Sequence, residues 1–188
     1  MKKLSRDDRR AQLLDEALTV VRDEGADALT LGHLAERAGV SKPIAYDHFG
    51  SRSGLLIALY KQFDDQQVAV FRAAIDRAPR SLEDVACAAG AAHLDCCITA
   101  GPEWQSIAGA LKGDEEMVRF QEELVDRYVA LYCDTLRPYT SLSESELRLR
   151  CAGIIGAADA IGREVVRKRF DREEATASLA ALIVDWLG

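Results

Sequence analysis

The sequence predicts an all-α fold of about nine helices, and three observations carry that expectation. Apolar residues recur at three- and four-residue spacing along most of the 188-residue chain. Glycine, proline and Ser/Thr/Asp capping residues punctuate those runs where helices should stop and start. No stretch of alternating β-branched residues is long enough for a strand, and no repeat or low-complexity tract breaks the pattern.

The first helix spans about residues 6–24, with Leu14, Ala17, Leu18 and Val21 on one face and Gly25 ending it. Two short helices follow within Thr30–Phe49. Ser51 then precedes a long helix to about residue 77, with Leu55, Leu56, Leu59, Phe63 and Val70 as its inward stripe. Ala78-Pro79-Arg80-Ser81 is a break, and Ser81 with Asp84 resembles a capping box for an alanine-rich helix over about 82–99. Gly101-Pro102 separates this from a short helix over about 103–112. Gly113-Asp114 starts a helix to about 137 that carries Met117, Phe120, Leu124, Tyr128 and Leu131 on one side, and Pro138 ends it. Ser143 and Glu146 form an S-x-x-E box at the start of a helix of roughly 25 residues. Asp171 and Glu174 open the last helix, which ends at Trp186-Leu187.

A chain 48% apolar can bury a real core and is not disordered. Its net charge of −7 argues against a general nucleic-acid coat. The charge is uneven. Residues 1–52 hold equal numbers of basic and acidic side chains, so the whole excess of acid lies beyond them. The basic positions Lys2, Lys3, Arg6, Arg9 and Arg10, with Lys42 and Arg52, leave only the N-terminal face fit to approach DNA. The charged N-terminus has no apolar signal core and no run is long enough to span a bilayer, so a cytoplasmic protein is expected. The five cysteines (87, 96, 97, 133 and 151) lack the spacing of a disulfide framework or of zinc knuckles, and read as reduced, small hydrophobes.

The stretch TLGHLAERAGVSKPIAYDHF, Thr30 to Phe49, has the order of a helix-turn-helix. Thr30 sits at an N-cap, and Leu31, Leu34, Ala35 and Ala38 repeat at helical spacing. Gly39 supplies the positive φ of the turn, and Val40 points back inward. Ser41 caps the second helix, and Pro43 fits its first turn, where no intrahelical amide bond is lost. The second helix of such a unit enters a DNA major groove. Gly32 costs about 1 kcal/mol against alanine inside the first helix, without a functional reason in the sequence.

A helix, a glycine, then Leu29-Thr30, Leu34-Ala35, Ala38-Gly39-Val40-Ser41, Tyr46, His48-Phe49, Ser51-Arg52 and Leu55 resembles the N-terminal region of TetR-type transcriptional repressors. The resemblance covers roughly the first third of the chain. It implies a three-helix DNA-binding domain over 1–51 and a helical ligand-binding and dimerisation domain over 52–188. It further implies a ligand-responsive regulator, most simply a repressor released from a palindromic operator by a small organic molecule. Thr30 and Ser41 would cap helices and meet phosphates, and Lys42, Tyr46 and His48 would lie on the DNA-facing surface. Arg52, where the family usually has lysine, would bind phosphate at the start of the fourth helix. Pro43, Ile44 and Asp47 depart from the usual pattern. The first two suit a thymine methyl, and Asp47 either accepts from cytosine N4 or simply pairs with a nearby base.

One short recognition helix is too small for tight specific binding, so the resemblance implies a homodimer on two half-sites. Ala152, Gly153, Gly156, Ala157 and Ala160 allow close helix packing, and Leu179, Leu182, Ile183 and Trp186 form the stripe of the last helix. With their symmetry mates they would build a four-helix bundle, or else they fill the monomer's own core. Similar proteins hold a ligand cavity between the fourth helix and helices five to eight. Its candidate lining here is Phe63, His93, Cys97, Trp104, Ile107, Leu111, Tyr128, Tyr132 and Asp159, mostly apolar with a few polar handles.

Rival readings have less behind them. His93 and Cys97 are i,i+4 neighbours that could share a soft metal such as Cu(I) or Zn²⁺, or a thiol could sense oxidants, but no cation nearby in sequence lowers a thiol pKa. The main reading therefore calls for no cofactor and no metal. A helical adaptor that no longer binds DNA is motivated by Asp47 and the neutral N-terminal third. No HExxH, GxSxG, P-loop or dinucleotide fingerprint appears, and three histidines (33, 48 and 93) offer little acid–base machinery, which argues against an enzyme.

Overall fold

The computed structural model describes residues 4–100, 102–110, 113 and 115–187. These form nine α-helices and no strand: α1 (Arg6–Glu24), α2 (Leu31–Arg37), α3 (Lys42–Phe49), α4 (Arg52–Arg77), α5 (Leu82–Thr99), α6 (Pro102–Ala110), α7 (Glu115–Leu136), α8 (Glu144–Val166) and α9 (Arg172–Leu187). Two 3-10 turns, Ala26–Ala28 and Arg137–Tyr139, complete the order. No helix among the described residues is long and apolar enough to cross a membrane. Leu111, expected in the ligand lining, lies outside the described residues.

The helices start where local capping chemistry places them. Ser5, Thr30, Ser81 and Ser143 each accept the amide three residues on, from Asp8, His33, Asp84 and Glu146 respectively. At Ser143 the reciprocal bond is also present, the Ser143 amide donating to Glu146 Oε2 at 3.0 Å. Ser41 departs from expectation: it occupies the N-cap of α3, but its hydroxyl makes no cap bond. The amide three residues on, that of Ile44, donates to the Ser41 carbonyl at 3.0 Å, and Pro43 between them has no N–H to offer.

The chain forms two compact units. The first comprises residues 1–65 and 100–120. Its core is Leu13, Ala17, Val20, Leu29, Leu34, Leu55, Leu56, Leu59 and Ile107, all fully buried. There α6 packs on α1 and on the Ala26–Ala28 turn, and the Ala26 amide donates to Ser106 Oγ at 3.3 Å. An aromatic cluster adds to it, with Phe63 stacked on Trp104 at 4.4 Å between ring centroids and Tyr60 edge-on to Phe120 at 5.8 Å.

The second unit comprises residues 66–99 and 121–188. Here α5 packs against both α8 and α9, which also pack on each other. Its core includes Phe71, Ala89, Leu94, Tyr132, Leu136, Leu147, Ile154, Leu179 and Ile183. Val70, expected inside, is 54% exposed, and Val68 and Phe71 are buried instead. The buried face of α4 turns at the point where the helix passes from the first unit to the second, so the stripe set by Leu55, Leu59 and Phe63 does not continue.

Candidate functional site

The helix-turn-helix is built on local geometry. Gly39, at φ 65°, reverses the chain after α2, and the Val40 amide returns to the Ala35 carbonyl at 2.9 Å. Ala45 and Phe49, four apart on α3, are buried and fix its rotation. Lys42, Pro43, Ile44, Tyr46 and Asp47 consequently face solvent, and His48 is half-buried beside Phe49. Tyr46 is 55% exposed and Ile44 37%. At the far end of α3 the chain turns into α4 so tightly that a Cβ on Gly54 would stand 2.3 Å from the Phe49 carbonyl oxygen. Only glycine allows that approach.

Lys42 lies back along α2. A Cβ on Gly32 would be 3.6 Å from Lys42 Cε and 3.9 Å from both Lys42 Nζ and Thr30 Oγ1, ordinary contact distances, so packing does not require glycine there. Lys42, Gly32 and Thr30 thus share one patch at the start of α2. Asp47 pairs with Arg6 of α1 at 3.6 Å, an exposed and therefore weak ion pair that nonetheless offsets the acid on the recognition helix. Arg10, also from α1, places its guanidinium 4.9 Å from the centroid of the Phe49 ring. Its Nη1 is buried without a hydrogen-bond partner among the described residues. The sequence pointed to Arg6 and Arg10 only as members of a basic cluster. Their contacts with α3 depend on how α1 crosses it.

Arg52 is bound to backbone carbonyls of its own unit. Its Nε donates to the Leu29 carbonyl at 2.9 Å and its Nη2 to the Ala26 carbonyl at 2.8 Å, with Asp27 at 3.5 Å. The guanidinium adds two bonds to carbonyls around the Ala26–Ala28 turn and so clamps the start of α4 to that turn. On the opposite side of α2, Arg37 pairs with Glu16 and Glu24, and His33 with Glu24, holding α2 against α1.

The expected ligand residues fall in both units. Phe63, Trp104 and Ile107 are buried in the first, whereas His93, Cys97, Tyr128, Tyr132 and Asp159 belong to the second. His93, on α5, is buried and bonded on both ring nitrogens: Nε2 to Asp159 Oδ1 of α8 at 3.0 Å, and Nδ1 to the Tyr132 hydroxyl of α7 at 3.2 Å. Tyr132 also reaches the Ala89 carbonyl at 3.5 Å. Burial by itself lowers the His93 pKa, but the hydrogen bond to Asp159, followed by Cys97, more than reverses this and brings it to about 9. Burial and the charge of Asp159 push the Tyr132 phenol far above its ordinary value, so it stays neutral. The network is satisfied with either charge on the ring. A neutral His93 accepts from Tyr132 at Nδ1. An imidazolium donates there, and Tyr132 donates onward to Ala89.

Of the remaining thiols, Cys151 is buried and its pKa is pushed up to about 12, by burial first and by Cys133 second. It is an inert core thiol at neutral pH.

The residues expected at a dimer face divide. Leu179 and Ile183 are 0% exposed within their own unit, so they correct the expectation: no partner can bury them further. Leu182 is half-buried. Gly156 and Ala160 of α8 and Trp186 of α9 are exposed, Gly153 and Ala157 are half-buried, and Leu149, one turn before Gly153, is 76% exposed. A Cβ on Gly153 would meet the Trp186 ring of the same chain at 2.6 Å.

Residues 13–59 match the family model described as bacterial regulatory proteins, tetR family. The transcriptional activator FasR of Mycolicibacterium smegmatis is 42% identical over 73 residues, covering 39% of this chain and 33% of FasR. The matched stretch thus spans about a third of that relative's length. Across nearly the whole chain the fold is shared with a candidate transcriptional regulator from Pseudomonas aeruginosa PAO1, with a TM-score of 0.76 at 20% identity over 97% of this chain and 92% of that one. The fatty acid degradation regulator FadR from Bacillus halodurans gives a TM-score of 0.68 at 20% identity over 98% and 97%. Residues 13–59 thus carry the helix-turn-helix of the tetR family of bacterial regulatory proteins, and the fold along the rest of the chain is that of these solved structures.

Proposed function

We propose that this protein is a ligand-responsive transcriptional regulator of the cytoplasm, binding a palindromic operator as a homodimer and released from it by a small organic molecule. Repression is the simplest mode, because occupancy of an operator alone suffices for it. One observation carries the reading: α3 is pinned by Ala45 and Phe49 while Lys42, Pro43, Ile44, Tyr46 and Asp47 are left facing solvent. A face so short and so exposed contributes nothing to the core, and its residue types suit a groove. Pro43 and Ile44 offer apolar surface to a thymine methyl, and Lys42, Tyr46, Thr30 and Ser41 offer phosphate contacts. The Ser41 hydroxyl makes no cap bond and is exposed, which suits it to one. Asp47, held by Arg6, is assigned to neutralisation and not to base reading. The family and the fold indicate a regulator and not an enzyme.

For release, the apolar and aromatic cluster of the first unit, Phe63, Trp104 and Ile107, is the surface assigned to an effector. Effector binding need only favour the arrangement of the two recognition helices that mismatches half-sites about one helical turn, roughly 34–36 Å, apart.

Selection from random duplex DNA, followed by fluorescence anisotropy at several salt concentrations, tests the DNA reading. The expected product is a two-fold symmetric sequence bound with a steep loss of affinity as salt rises. Lys42→Ala weakens binding to all sequences alike and lowers the salt slope by about one per half-site, whereas Ile44→Ala alters which sequence is preferred. No enrichment of any duplex, or affinity indifferent to salt, would refute the reading.

A further inference from the structure

We propose that His93, Cys97 and Asp159 form a binding site for a divalent zinc ion. One donor atom from each, an imidazole nitrogen, a thiolate sulfur and a carboxylate oxygen, lies within 4.8 Å of the other two. In a tetrahedral zinc site, ordinary zinc–ligand distances of about 2.0–2.3 Å put ligand atoms roughly 3.3–3.7 Å apart. His93 Nε2 and Asp159 Oδ1 are already 3.0 Å apart, and the Asp159 side chain is 53% exposed, so it is free to adjust around an ion.

The surroundings match what such a site requires. His93 and Cys97 are one turn apart on α5, and Asp159 comes from α8, which packs against it. Gly162, one turn after Asp159, makes room for the thiol, since a Cβ there would stand 2.6 Å from Cys97 Sγ. The Tyr132 hydroxyl, at 3.2 Å from His93 Nδ1, can accept a hydrogen bond from Nδ1–H while donating its own to the Ala89 carbonyl. That leaves the Nε2 lone pair aimed at the ion, the outer-shell support that metal-bound histidines receive. One nitrogen, one thiolate and one carboxylate suit Zn²⁺ better than Cu(I), which prefers thiolates and thioethers. Three protein ligands with an exposed carboxylate leave the fourth position for water or another donor.

The full-length protein, stripped with a chelator, is titrated with Zn²⁺ against a fluorescent zinc indicator and separately with Co²⁺ by absorption. One zinc per chain is expected, with a thiolate-to-cobalt charge-transfer band and tetrahedral ligand-field bands. Cys97→Ser abolishes the charge-transfer band and weakens zinc at least tenfold. Asp159→Asn, isosteric and at a half-exposed position, also weakens zinc at least tenfold, and Tyr132→Phe weakens it by about tenfold. Cys87→Ser and Cys96→Ser change neither signal. Failure of the parent to bind zinc, survival of the charge-transfer band in Cys97→Ser, or unchanged zinc affinity in Asp159→Asn overturns the proposal. Circular dichroism of each variant separates ligand loss from unfolding, and if Cys97→Ser does not fold, Asp159→Asn decides. None of these measurements involves DNA, so their failure leaves the regulator reading untouched.

Discussion

Two glycines in this protein would meet atoms at similar distances if given a Cβ, yet the consequences differ because of what they meet. At Gly54 the obstacle is the Phe49 carbonyl oxygen, 2.3 Å away and fixed in the backbone where α3 turns into α4. At Gly153 it is the edge of the Trp186 ring, 2.6 Å away but at the tip of a half-exposed side chain. Replacing a helical glycine by alanine gains up to about 1 kcal/mol of helix propensity. Forcing atoms into filled space costs about 1–3 kcal/mol when the backbone must move. Gly54→Ala should therefore destabilise the protein by about 1–2 kcal/mol in urea unfolding and weaken DNA binding, because it shifts the recognition helix. Gly153→Ala should be neutral or mildly stabilising, with the indole swinging aside. A Gly54→Ala protein as stable as the parent would show that the α3–α4 corner relaxes without cost.

Helix starts are the features most completely written into the sequence, because a cap depends on residues only three apart. The Ser143–Glu146 box is an example: both reciprocal bonds are present, and α8 begins at Glu144. The Ser143 hydroxyl and amide hold the Glu146 carboxyl below its ordinary pKa. A carboxyl with a depressed folded pKa contributes stability above its unfolded value, near 4.5, and the contribution disappears as pH falls through the lower folded value. Ser143→Ala should cost about 1 kcal/mol at pH 7. The difference from the parent should shrink as pH is lowered below the ordinary carboxyl range. A stability gap that persists unchanged in acid would mean that the carboxylate takes no part in the cap. The same locality explains what the sequence did not show. Ser41 has the residue type and place of a cap, but the Ile44 amide three residues on donates to the Ser41 carbonyl and not to its hydroxyl. Val70 keeps helical step with Phe63, yet the burial of α4 changes face beyond it. Arg52 sits at the start of a helix where phosphate binding is plausible, and the carbonyls that capture it are 23 and 26 residues away in the chain. The His93–Asp159 bond joins residues 66 apart, so both were legible as candidates and their pairing was not.

For the molecule as a whole, the acid excess lies beyond residue 52, and α3 alone presents a face of only a few residues to DNA. On the regulator reading proposed above, so small a surface calls for two copies on two half-sites, joined away from the basic N-terminal face. We propose the exposed surface of α8 as the face on which they meet. Leu149, Ala152, Gly156 and Ala160 follow one another at three- and four-residue steps along its solvent side, and Trp186 of α9 is exposed as well. Large apolar side chains beside small ones allow two copies of such a helix to approach closely around a two-fold axis. Leu179 and Ile183 are the wrong residues with which to test this, since a charge at either would be buried in the unit's own core and would unfold it. Gly156 is the right one. A Cβ there meets nothing within 4 Å in the monomer, and arginine is a better helix former than glycine. Gly156→Arg should therefore leave thermal stability and helical content of the protomer intact while placing two like charges face to face across the axis. Sedimentation equilibrium should give a dimer for the parent and a monomer for the variant, and affinity for a two-half-site duplex should fall at least a hundredfold while binding to a single half-site barely changes. A Gly156→Arg protein that sediments as a dimer and holds its operator as the parent does would remove α8 from the interface, and a parent that is monomeric on and off DNA would remove the interface altogether.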